Sequence, residues 1–181
     1  VFADVYLLQC KLLPVATRLA EDRAPSVRLA VAAQCDRLCG ALGEHWSSVI
    51  IDVLLALLQD ADERVRSEAV LCVPRFSEIV LMTSAPGAPI NDVSVLEALL
   101  PAALMLQKDK SSSVRVSLAT AAGELLTLLV GLQSLEETAG RGDTTAESGS
   151  VSKLKKHVDD VLIPLVQSLL HDKDPEVTSS A

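Results

Sequence analysis

Apolar residues recur along this chain at steps of three and four. Leu8, Leu12, Val15 and Leu19 trace the first stripe, which predicts an amphipathic helix because residues so spaced share one helical face. The polar turn Asp22-Arg23-Ala24-Pro25-Ser26 follows, with Pro25 suited to the first turn of a second helix that buries Val27, Val31, Cys35, Leu38 and Leu42 and stops at Gly43. The same alternation of helix, short polar turn and helix then repeats. A helix through Ile50, Ile51, Leu54, Leu55 and Leu58 is followed, after Asp60-Ala61-Asp62, by one through Val65, Ala69, Val73, Phe76 and Val80. A third pair runs through Val95, Leu99, Leu100, Leu104 and Leu106, then Val114, Leu118, Ala122, Leu125 and Leu129. The fourth begins with Val158, Val161, Leu162, Leu165, Leu169 and Leu170, and its second helix has only started at Val177. No segment alternates with the period of two that a half-buried strand requires, so an all-α chain is expected.

Aligned on one Asp per turn, the four copies keep a fixed internal grammar. Leu19, Leu57, Leu106 and Leu169 stand three before Asp22, Asp60, Asp109 and Asp172, and Val27, Val65, Val114 and Val177 stand five after. Arg28, Arg66 and Arg115 follow the valines, with Thr178 in the fourth copy, and Pro14, Pro101 and Pro164 stand eight before the Asp, with Asp52 in the second. The prolines are expected to bend the first helices without ending them, since the apolar period continues through them. Fixed units at changing intervals predict a repeat architecture, an α-solenoid of about three and a half to four antiparallel hairpins over residues 1–181. Each unit buries its apolar face on its neighbours. The repeats are placed at about 2–43, 44–81, 92–131 and 153–181, the last cut short. Insertions are placed at about 82–94, where two prolines and a glycine break the helix, and at about 132–152, where Glu, Thr, Gly and Ser predict a mobile loop.

The Asp in each turn can accept backbone N–H groups at the start of the second helix, and the Arg six residues on can pair with an Asp of its own or the adjacent unit. Asp22, Arg28, Asp60, Arg66, Asp109, Arg115 and Asp172 are thus the expected structural ladder. Turn residues without core duty, Arg23, Ala24, Asp62, Glu63, Arg64, Lys108, Lys110, Ser111, Ser112, Lys173 and Glu176, are the candidate partner-binding surface.

These offsets of Pro, Leu, Asp, Val and Arg resemble the HEAT repeat. More narrowly, Leu12-Leu13-Pro14 through Asp22, with Val27-Arg28-Leu29-Ala30, and Ile163-Pro164-Leu165 with Asp172-Lys173-Asp174-Pro175-Glu176-Val177 are similar to the scaffolding (A) subunit family of protein phosphatase 2A. That resemblance implies a non-catalytic scaffold whose turns line a ridge that holds a variable regulatory subunit and the phosphatase catalytic subunit. The alternatives within the same repeat class are an importin-type transport receptor and a regulatory subunit of protein phosphatase 4 type.

Composition narrows the partners. The chain has 181 residues, 49% hydrophobic, and a net charge of −8. A phosphate backbone demands a basic stripe, and no cluster larger than Lys153–Lys156 is present, so nucleic acid is not expected as a partner. No apolar run approaches the ~20 residues of a bilayer span, so no membrane partner is expected either. The four cysteines sit inside predicted helices, which suits a cytoplasmic protein with the nucleus as a second compartment. Val1 and the break within a helix at Ala181 read as a piece of a longer protein.

Candidate chemistry is sparse. Cys35 and Cys39 are one turn apart, but Cys35 lies on a buried stripe with no third ligand near, and His45, His157 and His171 are scattered. Arg141-Gly142-Asp143 and the phosphorylatable Thr144–Ser148 stretch read as plain solvated loop. Acidic pairs such as Glu21-Asp22 and Asp159-Asp160 favour helix starts rather than acid–base work. No phosphate-cradling loop or nucleophile–base set occurs, so no enzyme activity, cofactor or small-molecule substrate is expected.

Overall fold

The computed structural model describes residues 11–42, 47–82, 94–139 and 155–181, all-helical apart from their turns and ends. Helices α1 (Leu13–Ala20), α2 (Pro25–Ala32) and α3 (Cys35–Leu42) make the first unit, and α4 (Ser47–Leu58) and α5 (Glu63–Met82) the second. The third has α6 (Ser94–Met105), a 3₁₀ turn (Leu106–Lys108) and α7 (Ser112–Ala139). A π-helical turn (Val158–Leu162), α8 (Ile163–Leu169) and the short α9 (Pro175–Ser180) close the chain. First helices α1, α4 and α6 touch in succession, and second helices α2 and α3, α5, α7 and α9 do the same, with the densest packing between α5 and α7.

One apolar cluster runs through all four units, from Leu13 and Val31 through Leu54, Phe76, Leu99 and Leu129 to Leu162 and Val177. Aliphatic side chains fill it, and Phe76 is completely buried. Each fully buried aliphatic side chain of this kind stabilises by roughly 1.5–3 kcal/mol.

Apart from Val80 and Val95, whose side chains are not described, the predicted apolar positions of the second and third units are found inside, with Ile51, Leu55 and Leu104 half-buried against the core. The first unit differs. Leu12, Val15 and Leu19 are 37–47% exposed, while Leu13, Ala16 and Ala20 are buried. The reason lies in stacking: the counterparts of Leu12 (Ile50, Leu99, Leu162) and of Leu19 (Leu57, Leu106, Leu169) are buried where a unit lies ahead of them, and no described unit lies ahead of α1. Leu170, expected inside, is 48% exposed; of its counterparts, Leu58 is buried and Gln107 is half-buried and bonds Ser168 of the following unit.

The second helix of unit one is not continuous, because its ladder breaks at Ala33–Gln34 between α2 and α3. The expected loop from about residue 132 is also corrected: α7 stays helical to Ala139. Leu132 is still buried there, the Ser134 hydroxyl donates to the Val130 carbonyl, and no proline or glycine follows Gly131 within the helix. The remainder of that insertion, the segment 83–93, Gly43, the first ten residues and the Arg141–Ser148 motifs lie outside the described residues.

The prolines behave as helix-compatible distortions. Pro101 sits inside α6, while Pro14 and Pro164 stand where a π-helical turn gives way to α-helix, the backbone staying helical at Leu12 and Leu162. Wider hydrogen-bond closure at such a turn accommodates a residue without an N–H. Pro74, buried within α5, is a further instance.

The apolar stretch Ser112–Leu132 of α7 is long and apolar enough, by length and composition, to cross a membrane, which corrects the expectation that no run approaches that length. It carries Arg115 and Glu124 and packs on α5, α8 and α9.

Candidate protein-interaction edge

The four turns share one geometry. In each, the Asp carboxylate accepts the backbone N–H two residues on: Asp22 from Ala24 at 2.8 Å, Asp60 from Asp62 at 2.8 Å, Asp109 from Ser111 at 2.9 Å and Asp172 from Asp174 at 2.9 Å. This is an Asx turn, which exchanges a solvated N–H for an internal bond and sets the chain direction before the second helix begins. The expectation that these carboxylates cap the second helix is therefore shifted by two residues. Asp60 is too far ahead of α5 to reach its first free N–H groups, and Asp62 does so instead, accepting from Arg64 at 2.9 Å; Asp174 accepts from Glu176 at 3.1 Å at the start of α9.

Each Arg makes a two-point fork with the Asp of the following unit. Arg28 donates through Nε and Nη2 to Asp60 at 2.6 and 2.8 Å, Arg66 to Asp109 at 2.8 and 2.9 Å, and Arg115 to Asp172 at 2.8 and 3.1 Å. The third nitrogen, Nη1, donates backward to the carbonyl of the unit's own Asp: Arg28 to Asp22 at 2.6 Å, Arg66 to Asp60 at 2.7 Å and Arg115 to Asp109 at 2.9 Å. The planar guanidinium thus serves two units at once, which a lysine ammonium could not do with the same geometry. The side chains are shielded: Arg115 is 5% and Asp60 7% exposed.

The electrostatics follow from this shielding. The Arg28 fork holds the Asp60 carboxyl below its ordinary range against the opposing effect of burial, and Arg115 does the same for Asp172. Burial pushes Asp109 upward, yet the Arg66 fork and the Ser111 N–H outweigh it and keep it low. At Asp62 the Arg64 side chain, then the Arg64 N–H, lowers the carboxyl to about 2.

The candidate binding residues divide into two groups. Arg23, Ala24, Glu63, Arg64, Lys108, Lys110, Lys173 and Glu176 are exposed. Asp62, Ser111 and Ser112 are half-buried; Asp62 carries a structural duty as cap and Arg64 partner at 2.8 Å, and the Ser111 and Ser113 hydroxyls share a hydrogen bond. Between the third and fourth turns lies a cleft of about 340 Å³ lined by Gln107, Lys108, Asp109, Arg115, Ser168, Leu169, His171, Asp172 and Lys173. Gln107 bridges it by donating to the Ser168 hydroxyl. A second groove, of about 620 Å³, runs over the second helices between Arg75 and Glu78 of α5 and Thr120, Glu124 and Thr127 of α7.

Sequence reading missed three features: the Gln107–Ser168 bridge, the Arg75–Asp36 ion pair at 3.3 Å, and the capping role of Asp62 and Asp174. The caps had a signal, since Asp62 and Asp174 directly precede the first helical residue; the other two join residues with no periodic relation. Cys35 and Cys72 are buried and in no disulfide; burial pushes the Cys72 thiol up to about 11, and its Sγ lies 3.4 Å from the Ala32 carbonyl as a donor. Among the described residues no cluster of three or more His, Cys, Asp and Glu is placed to hold a metal.

Residues 50–80 match the HEAT repeat family model. The match spans α4, the Asp60 turn and nearly all of α5, and so covers one unit and its Arg66 fork. No curated protein matches the chain.

Proposed function

We propose that this chain is a segment of a HEAT-type α-solenoid that acts as a non-catalytic, cytoplasmic scaffold and presents its interhelical turns to partner proteins. The observation that carries this reading is the run of three Arg–Asp forks. They neutralise Asp60, Asp109 and Asp172 internally, so the exposed side chains of the edge, among them Arg23, Glu63, Lys108, Lys110, Lys173 and Glu176, are left to meet a partner. The HEAT match over residues 50–80 supports it, because HEAT repeats commonly serve protein interaction. Repeats that each contact only their neighbours make extended surfaces rather than pockets.

Within that class we assign the chain to a phosphatase holoenzyme of protein phosphatase 2A type, with a catalytic subunit and a variable regulatory subunit as partners. The support is the residue pattern around Pro14, Asp22 and Arg28 and around Pro164 and Asp172. Affinity capture of the protein from cell extract, followed by mass spectrometry, tests it. Recovery of a phosphatase catalytic subunit is expected; recovery of Ran with basic cargo instead would move the chain to the transport-receptor class.

A further inference from the structure

We propose that the cleft between the third and fourth turns is the docking point for an acidic, extended segment of a partner protein. This rests on the scaffold reading and adds to it where on the edge the partner sits and what chemistry it carries.

The argument is one of charge. The chain is strongly acidic, at −8, yet the cleft is lined by Lys108, Arg115 and Lys173 against only Asp109 and Asp172. Both carboxylates are already committed. Asp109 accepts the Arg66 fork and the Ser111 N–H, and Asp172 accepts the Arg115 fork and the Asp174 N–H. Arg115 is committed too, forming the floor at 5% exposure. What faces outward is therefore Lys108 and Lys173, one from each turn, with exposed Lys110 beside them. His171 lies on the rim, its Nδ1–H donating to the Gln167 carbonyl at 2.7 Å.

The fourth turn also carries Asp174, held by the Glu176 N–H, and exposed Glu176, but the first two turns have no lysine at all: the second leaves Glu63 beside the Asp62–Arg64 pair, and the first has Glu21 and Asp22 beside Arg23. The cationic cleft is thus a local property of turns three and four. The lysine ammoniums are flexible point charges suited to carboxylates strung along a peptide, whereas a bidentate anion would be better met by an arginine fork, and here the arginine is already taken. A nucleic-acid strand needs a longer basic track than this rim provides. A cleft of this size holds a few side chains, so it anchors one part of a larger contact and fixes its register.

The test uses fluorescence anisotropy with the 181-residue chain, titrated into a fluorescein-labelled hexaglutamate peptide flanked by glycines, beside a hexalysine peptide, a phosphoserine peptide and a single-stranded oligonucleotide. Saturable hexaglutamate binding that weakens with added salt is expected, with none for hexalysine. The double variant K108E/K173E should weaken it by about tenfold or more, and R18E/R23E, at the end of α1 and on the first turn, by less than about twofold. Both variants should melt with the wild type, since all four side chains are exposed. Equal weakening by the two variants, no hexaglutamate binding, or tighter binding of the phosphopeptide or oligonucleotide through the same lysines would overturn the proposal. If wild type and K108E/K173E capture phosphatase subunits equally from extract, the scaffold reading stands and the acidic docking point falls. If neither captures any, the holoenzyme assignment fails whatever the peptides do.

Discussion

Arg64 and Arg66 stand two residues apart in one turn and do different work. Arg64 is 66% exposed and reaches only Asp62, whereas Arg66 is 16% exposed and ties its own unit to the next. Arg66→Ala should therefore cost roughly 1–3 kcal/mol, because it strands the shielded Asp109 carboxylate, while Arg64→Ala should stay within about 0.5 kcal/mol. Urea unfolding followed by circular dichroism measures both. Adding Asp109→Ala to Arg66→Ala removes the stranded charge, so the double variant should be more stable than the sum of the singles by about 1–2 kcal/mol; strict additivity would mean that the fork contributes nothing as a pair. At Cys72, burial and a thiol raised to about 11 predict that iodoacetamide at pH 8 leaves this residue unmodified in the folded protein and alkylates it in urea, as peptide mass spectrometry would show.

At the scale of elements, α7 is the longest helix and carries two glycines in its interior, Gly123 and Gly131, each with open space where a Cβ would lie. Glycine there costs backbone entropy without any packing return, so Gly123→Ala and Gly131→Ala should each stabilise by about 0.5–1 kcal/mol, seen as a higher urea midpoint at unchanged slope. Most of the helices were legible from apolar period alone, and so was the commitment of the Arg six residues after each turn Asp to an Asp of its own or the adjacent unit. Which Asp each Arg would choose was not legible. That choice is made when Nη1 binds the carbonyl of the unit's own Asp, which leaves Nε and Nη2 pointed at the following unit. The burial of Leu12 and Leu19 was misjudged for a related reason: apolar period shows which face a helix hides, but only the stacked neighbour decides whether that face is covered. The end of α7 was placed too early because Glu, Ser and Thr were read as loop formers, although a helix already seated on α5 carries such residues for another turn. At the binding edge, exposure of the basic turn residues was legible, whereas the cleft joining turns three and four depends on two segments far apart in sequence.

For the molecule as a whole, the forks tie stability to pH. Asp60, Asp109 and Asp172 release their protons more readily folded than unfolded, so they stabilise fully above the ordinary carboxylate value of 3.8. That contribution is lost as pH falls through their lowered folded values. Melting temperature should hold level from pH 7 to about 5 and drop between about pH 4 and pH 2, and the drop should be smaller in Arg66→Ala, which has already lost one fork. A melting temperature that rises in acid would contradict this. The forks also have a direction, since each of the three fork arginines, Arg28, Arg66 and Arg115, reaches forward with its fork and back only to carbonyls of its own turn. Units so joined are riveted along the turn side and held mainly by apolar contact elsewhere, with the Arg75–Asp36 pair and the Cys72–Ala32 hydrogen bond added between the first two units. A pull or twist on such a stack opens the unriveted side first, with the line of arginines as the pivot, so the spacing between turns survives deformations that change the curvature of the helical faces.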